Sequence, residues 1–342
     1  MSKRVTSHDV ARRAGVSRTT VSLVLNRSDA ATFSPETRER VLQAAADLGY
    51  KPNSAARMLV SGNSETIGLV ISNKDILSVD AFVPQVLHGI GEVNQRHGFH
   101  VLLESLASGP GAGTYDHLVE SRRIDGLILL NPRQDDEALK RLIENKFPIV
   151  LVGTLRHPEE ASINYSASAS TRQAVDLLAD LGHRNVGMVA FAPPGFVAVE
   201  GRKEALRRGL VARGLDLADS AVEHANFSAE SGHAATRALL TRRPDITAIF
   251  AGNDTIAIGV ISAARALGRR VPEDLSVVGH DDLPFAAWLS PALTTIRNDA
   301  VRQGALAAEM LISILEGKPV AERRVRLQSE LMVRQSCAAA PR

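Results

Sequence analysis

Ser17, Arg18, Thr19, Ser22 and Leu23 fall within one seven-residue stretch, and their types suit one task. Hydroxyl and guanidinium groups donate to phosphate oxygens and base edges, and a branched apolar side chain touches the methyl of thymine. For that chemistry the five must share the start and outer face of one helix, and a second helix must hold its inner face. The stretch His8–Asn26 has the required parts in register: Val10, Val21 and Val24 where two helices touch, Ala11 where they cross, and Gly15 at the turn. A helical hairpin with a merely basic face is the plain alternative.

The charge distribution argues against that alternative. The 342 residues carry 40 Lys+Arg against 38 Asp+Glu, a net +2. Residues 1–62 hold ten of the basic residues and five of the acidic ones, so a +5 head precedes a −3 body. Such a split is the footprint of a nucleic-acid contact confined to one end.

The elements that position these residues are marked by caps and stops. Thr6 with Asp9 resembles a capping box, opening a helix that Gly15 ends after Ala14. Ser17 caps a second helix to about Asn26. Ser34-Pro35-Glu36 opens a third, whose apolar face reads Val41, Leu42, Ala45 and Leu48. From Thr66 the texture changes. Short β-branched runs at 66–71, 100–103, 126–130, 149–152, 186–190, 248–250 and 276–279 alternate with amphipathic stretches. This alternation predicts parallel sheets covered by helices on both faces, and about 280 residues suit two α/β lobes better than one sheet.

Several function classes are excluded or disfavoured. Cys337 is the sole cysteine, so no intrachain disulfide or cysteine-based zinc site can form, which suits a reducing cytoplasm. The residues after Lys3 and Arg4 lack the apolar run of a secretory signal, and Leu127–Leu130 is far too short for a membrane span; a soluble cytoplasmic protein is expected. G-x-S-x-G, H-E-x-x-H and the P-loop pattern are missing, which speaks against an enzyme. Gly109–Gly113 lacks the third glycine of a dinucleotide fingerprint and reads as a loop. His97 and His100 have no nearby carboxylates and read as a solvent-facing pair. Neither a metal nor a cofactor is expected.

Asp9-Val10-Ala11, Ala14-Gly15-Val16-Ser17, Thr20-Val21-Ser22 and Val24-Leu25-Asn26 resemble the signature of the lactose-repressor/galactose-repressor (LacI/GalR) family. The resemblance runs on through Ser34–Arg38, Leu48–Asn53, Leu181–Arg184, Gly252–Asp254, Val271–Asp274 and Pro291–Ile296. It implies a homodimeric, effector-responsive transcription regulator, most simply a repressor of a palindromic operator. Its fold would be a small all-α helix-turn-helix head plus an α/β body of the two-lobed periplasmic-binding-protein-like kind with parallel sheets. The expected division is a head at 1–50, a hinge at 51–63 and a body at 64–342. Lobe 1 would take about 64–162 and 293–322, and lobe 2 about 163–292 and 323–336, with crossings near Ile163, Ala292 and Arg323.

The resemblance adds Thr6, Thr20 and Asn26 to the DNA-contact residues. It makes Asn53–Val60 a hinge helix with Asn53, Ala56 and Leu59 at the minor groove, Leu59 wedging the central base step. A plain linker whose Leu59 packs on the body is the alternative. Leu23 stands where the family commonly has a base-reading arginine, so Arg18 would take over part of the readout. For the effector, the resemblance points to Phe227, Asn253 and Asp281, an aromatic face beside an amide and a carboxylate that suits a sugar or sugar derivative. Two departures weaken a sugar-specific reading: the family's ligand-gripping arginine is Ala198 here, and a commonly acidic position is Gly153. Losing a charged donor favours a different or less polar effector, and a cleft that binds no small molecule is the alternative. The chain also lacks the C-terminal leucine heptads of tetrameric relatives, so a dimer is expected. A ligand-binding α/β protein without specific DNA binding, or an enzyme on that scaffold, is the rival reading.

Overall fold

The computed structural model describes residues 5–25, 33–51, 58, 62–71, 76–105 and 114–341. It divides into two compact units, Met1–Glu65 and Thr66–Arg342.

In the first unit, α1 (Ser7–Ala14), α2 (Arg18–Leu25) and α3 (Pro35–Asp47) surround one small core. Val10, Ala11, Ala14, Val21, Val24, Val41, Ala44 and Ala45 are buried in it. Gly15 takes the left-handed conformation at φ 66° that ends α1 and turns the chain into α2. Ser34 caps α3, its Oγ accepting from Thr37 N–H at 3.3 Å, with Pro35 in the first turn. One expectation is corrected: Leu42 is 47% exposed, and Ala44 takes its place inside. The buried face therefore runs Val41, Ala44, Ala45, the i, i+3, i+4 spacing of a helix stripe.

The second unit follows the order β1 (Thr66–Ile71), α4 (Ile76–Val79), α5 (Phe82–His97), β2 (His100–Ser105), α6 (Thr114–Glu120), β3 (Gly126–Leu130), α7 (Glu137–Glu144), β4 (Ile149–Val152) and β5 (Ser162–Ser166). There follow α8 (Ala167–Asp180), β6 (Val186–Ala190), α9 (Val197–Ala212), β7 (Val222–His224), α10 (Ala229–Arg242), β8 (Ala248–Ala251), α11 (Asp254–Ala266), β9 (Ser276–Asp281), β10 (Thr294–Arg297), α12 (Ala300–Leu315), β11 (Arg324–Gln328) and β12 (Glu330–Met332). One sheet has the order β11-β5-β4-β3-β1-β2 and the other β12-β10-β9-β8-β6-β7. All pairs are parallel except β10 with β12. Both sheets are doubly wound, an arrangement that places binding sites beyond the carboxyl ends of the strands. Central strands such as β3, β4, β6 and β8 are buried along their whole length, as sheets covered on both faces require.

Pairing places the crossings a few residues later than Ile163, Ala292 and Arg323. β5 and β11 lie side by side in the first sheet, and β10 lies in the second. The chain therefore crosses after Ser166, at Asn298–Asp299 and at Ser329. These three segments are tied together. Tyr165 Oη donates to Asp299 O at 3.1 Å, Ser329 Oγ donates to Ser166 O at 3.0 Å, and Ser170 Oγ and Ser329 Oγ share a hydrogen bond of 2.6 Å.

Each lobe also contains one pair of helices in backbone contact through glycine. Gly89 of α5 and Gly304 of α12 face each other: a Cβ on the first would lie 1.9 Å from Val301 O, and on the second 2.2 Å from Val86 O. In the other lobe a Cβ on Gly259 of α11 would lie 2.2 Å from Ala229 O.

Candidate functional site

Val21 and Val24 hold the inner face of α2, which leaves Arg18, Thr19 and Leu23 exposed and Thr20 and Ser22 half-buried. Ser17 Oγ accepts from Thr20 N–H at 3.0 Å and shares a 2.9 Å hydrogen bond with Thr20 Oγ1, capping the helix at the end where an anion is favoured. The arginines of α1 are occupied: Arg12 lies 2.6 Å from Asp9 and Arg13 lies 3.5 Å from Asp47. Arg18 has no ion-pair partner among the described residues. Thr6 is exposed at the start of α1, but its Oγ1 donates to Asp9 at 2.7 Å and its N–H at 3.0 Å. These bonds, with Arg12, bring Asp9 down to about 2. Asn26, Asn53, Ala56 and Leu59 lie outside the described residues.

In the body, the carboxyl ends of both sheets open onto one cavity of about 280 Å³, near the lower end of small-molecule sites. Asn131, Gly153 and Asn164 reach it from the first lobe, and Phe191, Asn253 and Asp281 from the second. Asn253 is buried, and its Oδ1 accepts from Ile256 N–H at 2.8 Å to cap α11, so its amide nitrogen is the group left for a ligand. Asp281 has left-handed φ of 104°. Its Oδ1 accepts from Arg202 at 3.2 Å and from Asn298 at 3.1 Å, and Oδ2 has no donor among the described residues. Burial leaves the Asp281 carboxyl raised, with Arg202 and Asn298 offsetting only part of the rise.

Phe227 does not line the cavity. Its N–H bonds to Phe191 O at 2.7 Å, and its buried ring meets Phe191 and Phe196 edge-on at 5.6 and 5.4 Å. The cavity is lined by the aromatics Phe82, Tyr165 and Phe191, and Phe227 supports the last of these from behind.

Arg202 is the residue sequence reasoning missed. It lies on α9 one turn after Ala198, so both line the cavity, and it returns a guanidinium to a wall where Ala198 has none. Arg202 bonds to Gly252 O and Asp281, and its guanidinium lies 4.8 Å from the centre of the Phe191 ring. The i, i+4 relation of Ala198 and Arg202 was the available signal. Gly153 has a local reason: at φ 117° a side chain there is strained, and a Cβ would come within 3.1 Å of Pro132.

Behind the cavity, Asp254 accepts from Thr295 Oγ1 at 2.6 Å and from Leu283 N–H at 2.7 Å. Burial nevertheless pushes it up to about 8, with Asp281 and Asp282 adding to the rise. The folded chain thus keeps a proton that the unfolded chain releases. The associated stability is complete below the ordinary carboxylate range and is lost as pH rises to about 8, at roughly 1.4 kcal/mol per pH unit. Asp254→Asn can face its oxygen to Leu283 N–H and its amide to Thr295 Oγ1. Urea titrations at pH 5.5 and 8 should show a flatter pH dependence in this variant; an unchanged slope would assign the titration elsewhere.

Comparison with known proteins matches residues 6–53 to the model for bacterial regulatory proteins of the lacI family and residues 175–337 to the periplasmic-binding-protein-like domain. The HTH-type transcriptional regulator CelR of Thermobifida fusca is 36% identical over 338 residues, 98% of each chain. The chain belongs to the LacI family. Among other LacI-family relatives, catabolite control protein A of Priestia megaterium is 30% identical, covering 97% of this chain and 99% of its own. Two solved LacI-family structures cover nearly all of the chain. The CelR–cellobiose complex has a TM-score of 0.74 at 34% identity, over 97% of this chain and 100% of that one. The lac repressor dimer bound to operator and the anti-inducer ONPF has 0.85 at 31%, over 98% and 100%. This LacI-family chain is a transcriptional regulator and not an enzyme. Among the described residues no helix is long and apolar enough to cross a membrane.

Proposed function

We propose that the chain represses transcription in the cytoplasm as a homodimer on a palindromic operator, with affinity set by a sugar or sugar derivative in the interlobe cavity. The observation that carries this reading is the outer face of α2. Arg18 is exposed there beside Leu23 and has no ion-pair partner among the described residues, while Arg12 and Arg13 are engaged with carboxylates. Residues 1–50 serve as the head, 51–63 as the hinge and 64–342 as the effector body, with Thr6, Ser17–Thr20, Ser22, Leu23 and Asn26 facing DNA. Asn53, Ala56 and Leu59 belong to the hinge at the operator centre. An effector spanning both lobes favours one lobe angle over another, and that preference reaches the DNA through the spacing of the two hinges.

Mobility shift on a palindrome with a central CG step, at several salt concentrations, tests the reading. Affinity should fall with salt and depend on the centre; equal binding to random DNA would overturn it. Arg18→Ala should lower the ratio of operator to random binding by roughly 5- to 150-fold, the range of one good base contact. Equal losses on both DNAs would make Arg18 a phosphate contact alone.

A further inference from the structure

The cavity lining has a chemical gradient. Its inner end is Asn253, Asp281 and Phe191, all buried. Its exposed end has two arginines, Arg156 and Arg326, neither with an ion-pair partner among the described residues. The remaining charges of the lining largely cancel: Arg202 pairs with Asp281, and Arg208 lies 3.7 Å from Glu204. Asp80, the other carboxylate, is buried and pushed up to about 6, chiefly by desolvation, so near neutral pH it offsets at most one of the two exposed arginines.

Arg156 is placed there by construction. The buried carboxylate of Glu160 accepts from Thr154 Oγ1 at 2.6 Å, Leu155 N–H at 2.9 Å, His157 N–H at 3.1 Å and Ser162 Oγ at 3.0 Å. Arg324 of β11 donates to His157 O at 2.9 Å and to Pro158 O. The loop thus pinned holds Arg156 at φ 62°, a conformation that costs a non-glycine residue energy and that tends to be kept at functional positions. Arg326 lies on β11 opposite Asn164 of β5, another cavity residue.

We propose that the effector is an anionic carbohydrate, bearing a carboxylate or a phosphate that Arg156 and Arg326 meet at the exposed end of the cavity. Guanidinium groups bind either anion bidentately, whereas a neutral sugar leaves both charges uncompensated. The inference rests on the regulator reading and narrows its ligand.

Calorimetric titration of the full chain with glucose, glucuronate, glucose 6-phosphate, cellobiose and cellobionate tests it. The acid of each set should bind about tenfold or more tightly than its neutral counterpart, and the carboxylate and phosphate arms identify which anion fits. R156A/R326A should bring that ratio to parity, while R156K/R326K should keep most of it, which general damage to the fold would not allow. Equal binding of neutral sugars, a preference that survives in R156A/R326A, or no binding of any of the five overturns the proposal. The palindrome assay on the same preparation separates the failures: lost operator binding sinks the regulator reading, whereas intact operator binding with no acid preference sinks the anionic effector alone.

Discussion

Gly89→Ala should unfold the protein at a markedly lower urea concentration, a loss of about 3 kcal/mol or more, because the new methyl has nowhere to go. Its Cβ would lie 1.9 Å from Val301 O and 2.9 Å from Ala305 N, both backbone atoms of α12. Backbone cannot rotate aside as a long side chain can, so the two helices must separate. That separation would loosen Val86, Ile90, Val93, Ala307, Ala308 and Leu311, all buried in the adjoining core. Gly91 is the control. It lies two residues further along α5, and a Cβ there meets nothing within 4 Å. Gly91→Ala should be neutral or stabilising by about 0.5–1 kcal/mol, since alanine favours helix over glycine. Similar midpoints for the two variants would show that the helices can accommodate a methyl at their crossing.

Asp281→Asn should weaken binding of the cavity ligand by about tenfold or more, read with cellobionate and cellobiose in the same calorimeter. The carboxylate has one oxygen engaged by Arg202 and Asn298 and the other without a donor among the described residues, so it offers a charge-assisted hydrogen bond that an amide cannot equal. Asparagine is the better substitution because it tolerates the left-handed backbone at φ 104°. Asp281→Ala adds backbone strain and leaves the half-buried Arg202 guanidinium without its counter-charge, so it should abolish the response and destabilise the body as well. An unchanged affinity in Asp281→Asn would remove Asp281 from the ligand site.

The head was legible almost to the residue because helices announce themselves by caps, stops and a 3.6-residue stripe. Thr6, Gly15, Ser17 and Ser34 all mark boundaries that the structure keeps, and the error at Leu42 is confined to one residue of the stripe, whose buried place Ala44 takes two positions on. The body was legible as an alternation, but β5, β7, β10, β11 and β12 were not picked out. These are short strands, several of mixed polarity such as Arg324–Gln328, and their register depends on partners far away in sequence. The crossings were misplaced for the same reason. The cavity was partly legible: Asn253 and Asp281 line it, but Phe227 turns inward, since a chain position does not reveal which way a ring points. Arg202 was overlooked because it entered the wall one turn away from the expected position.

The three crossings restrict what the body can report. They run between adjacent strands, β5 beside β11 in one sheet and β10 beside β12 in the other, and are bonded through Tyr165, Ser166, Asp299 and Ser329. Three short tethers along one edge remove sliding and separation and leave a single angle, as in a door on its pins. A molecule that touches one lobe alone has the same affinity at every value of that angle, so it transmits nothing however tightly it binds. Span, more than affinity, should therefore separate compounds that switch this protein from compounds that merely occupy it.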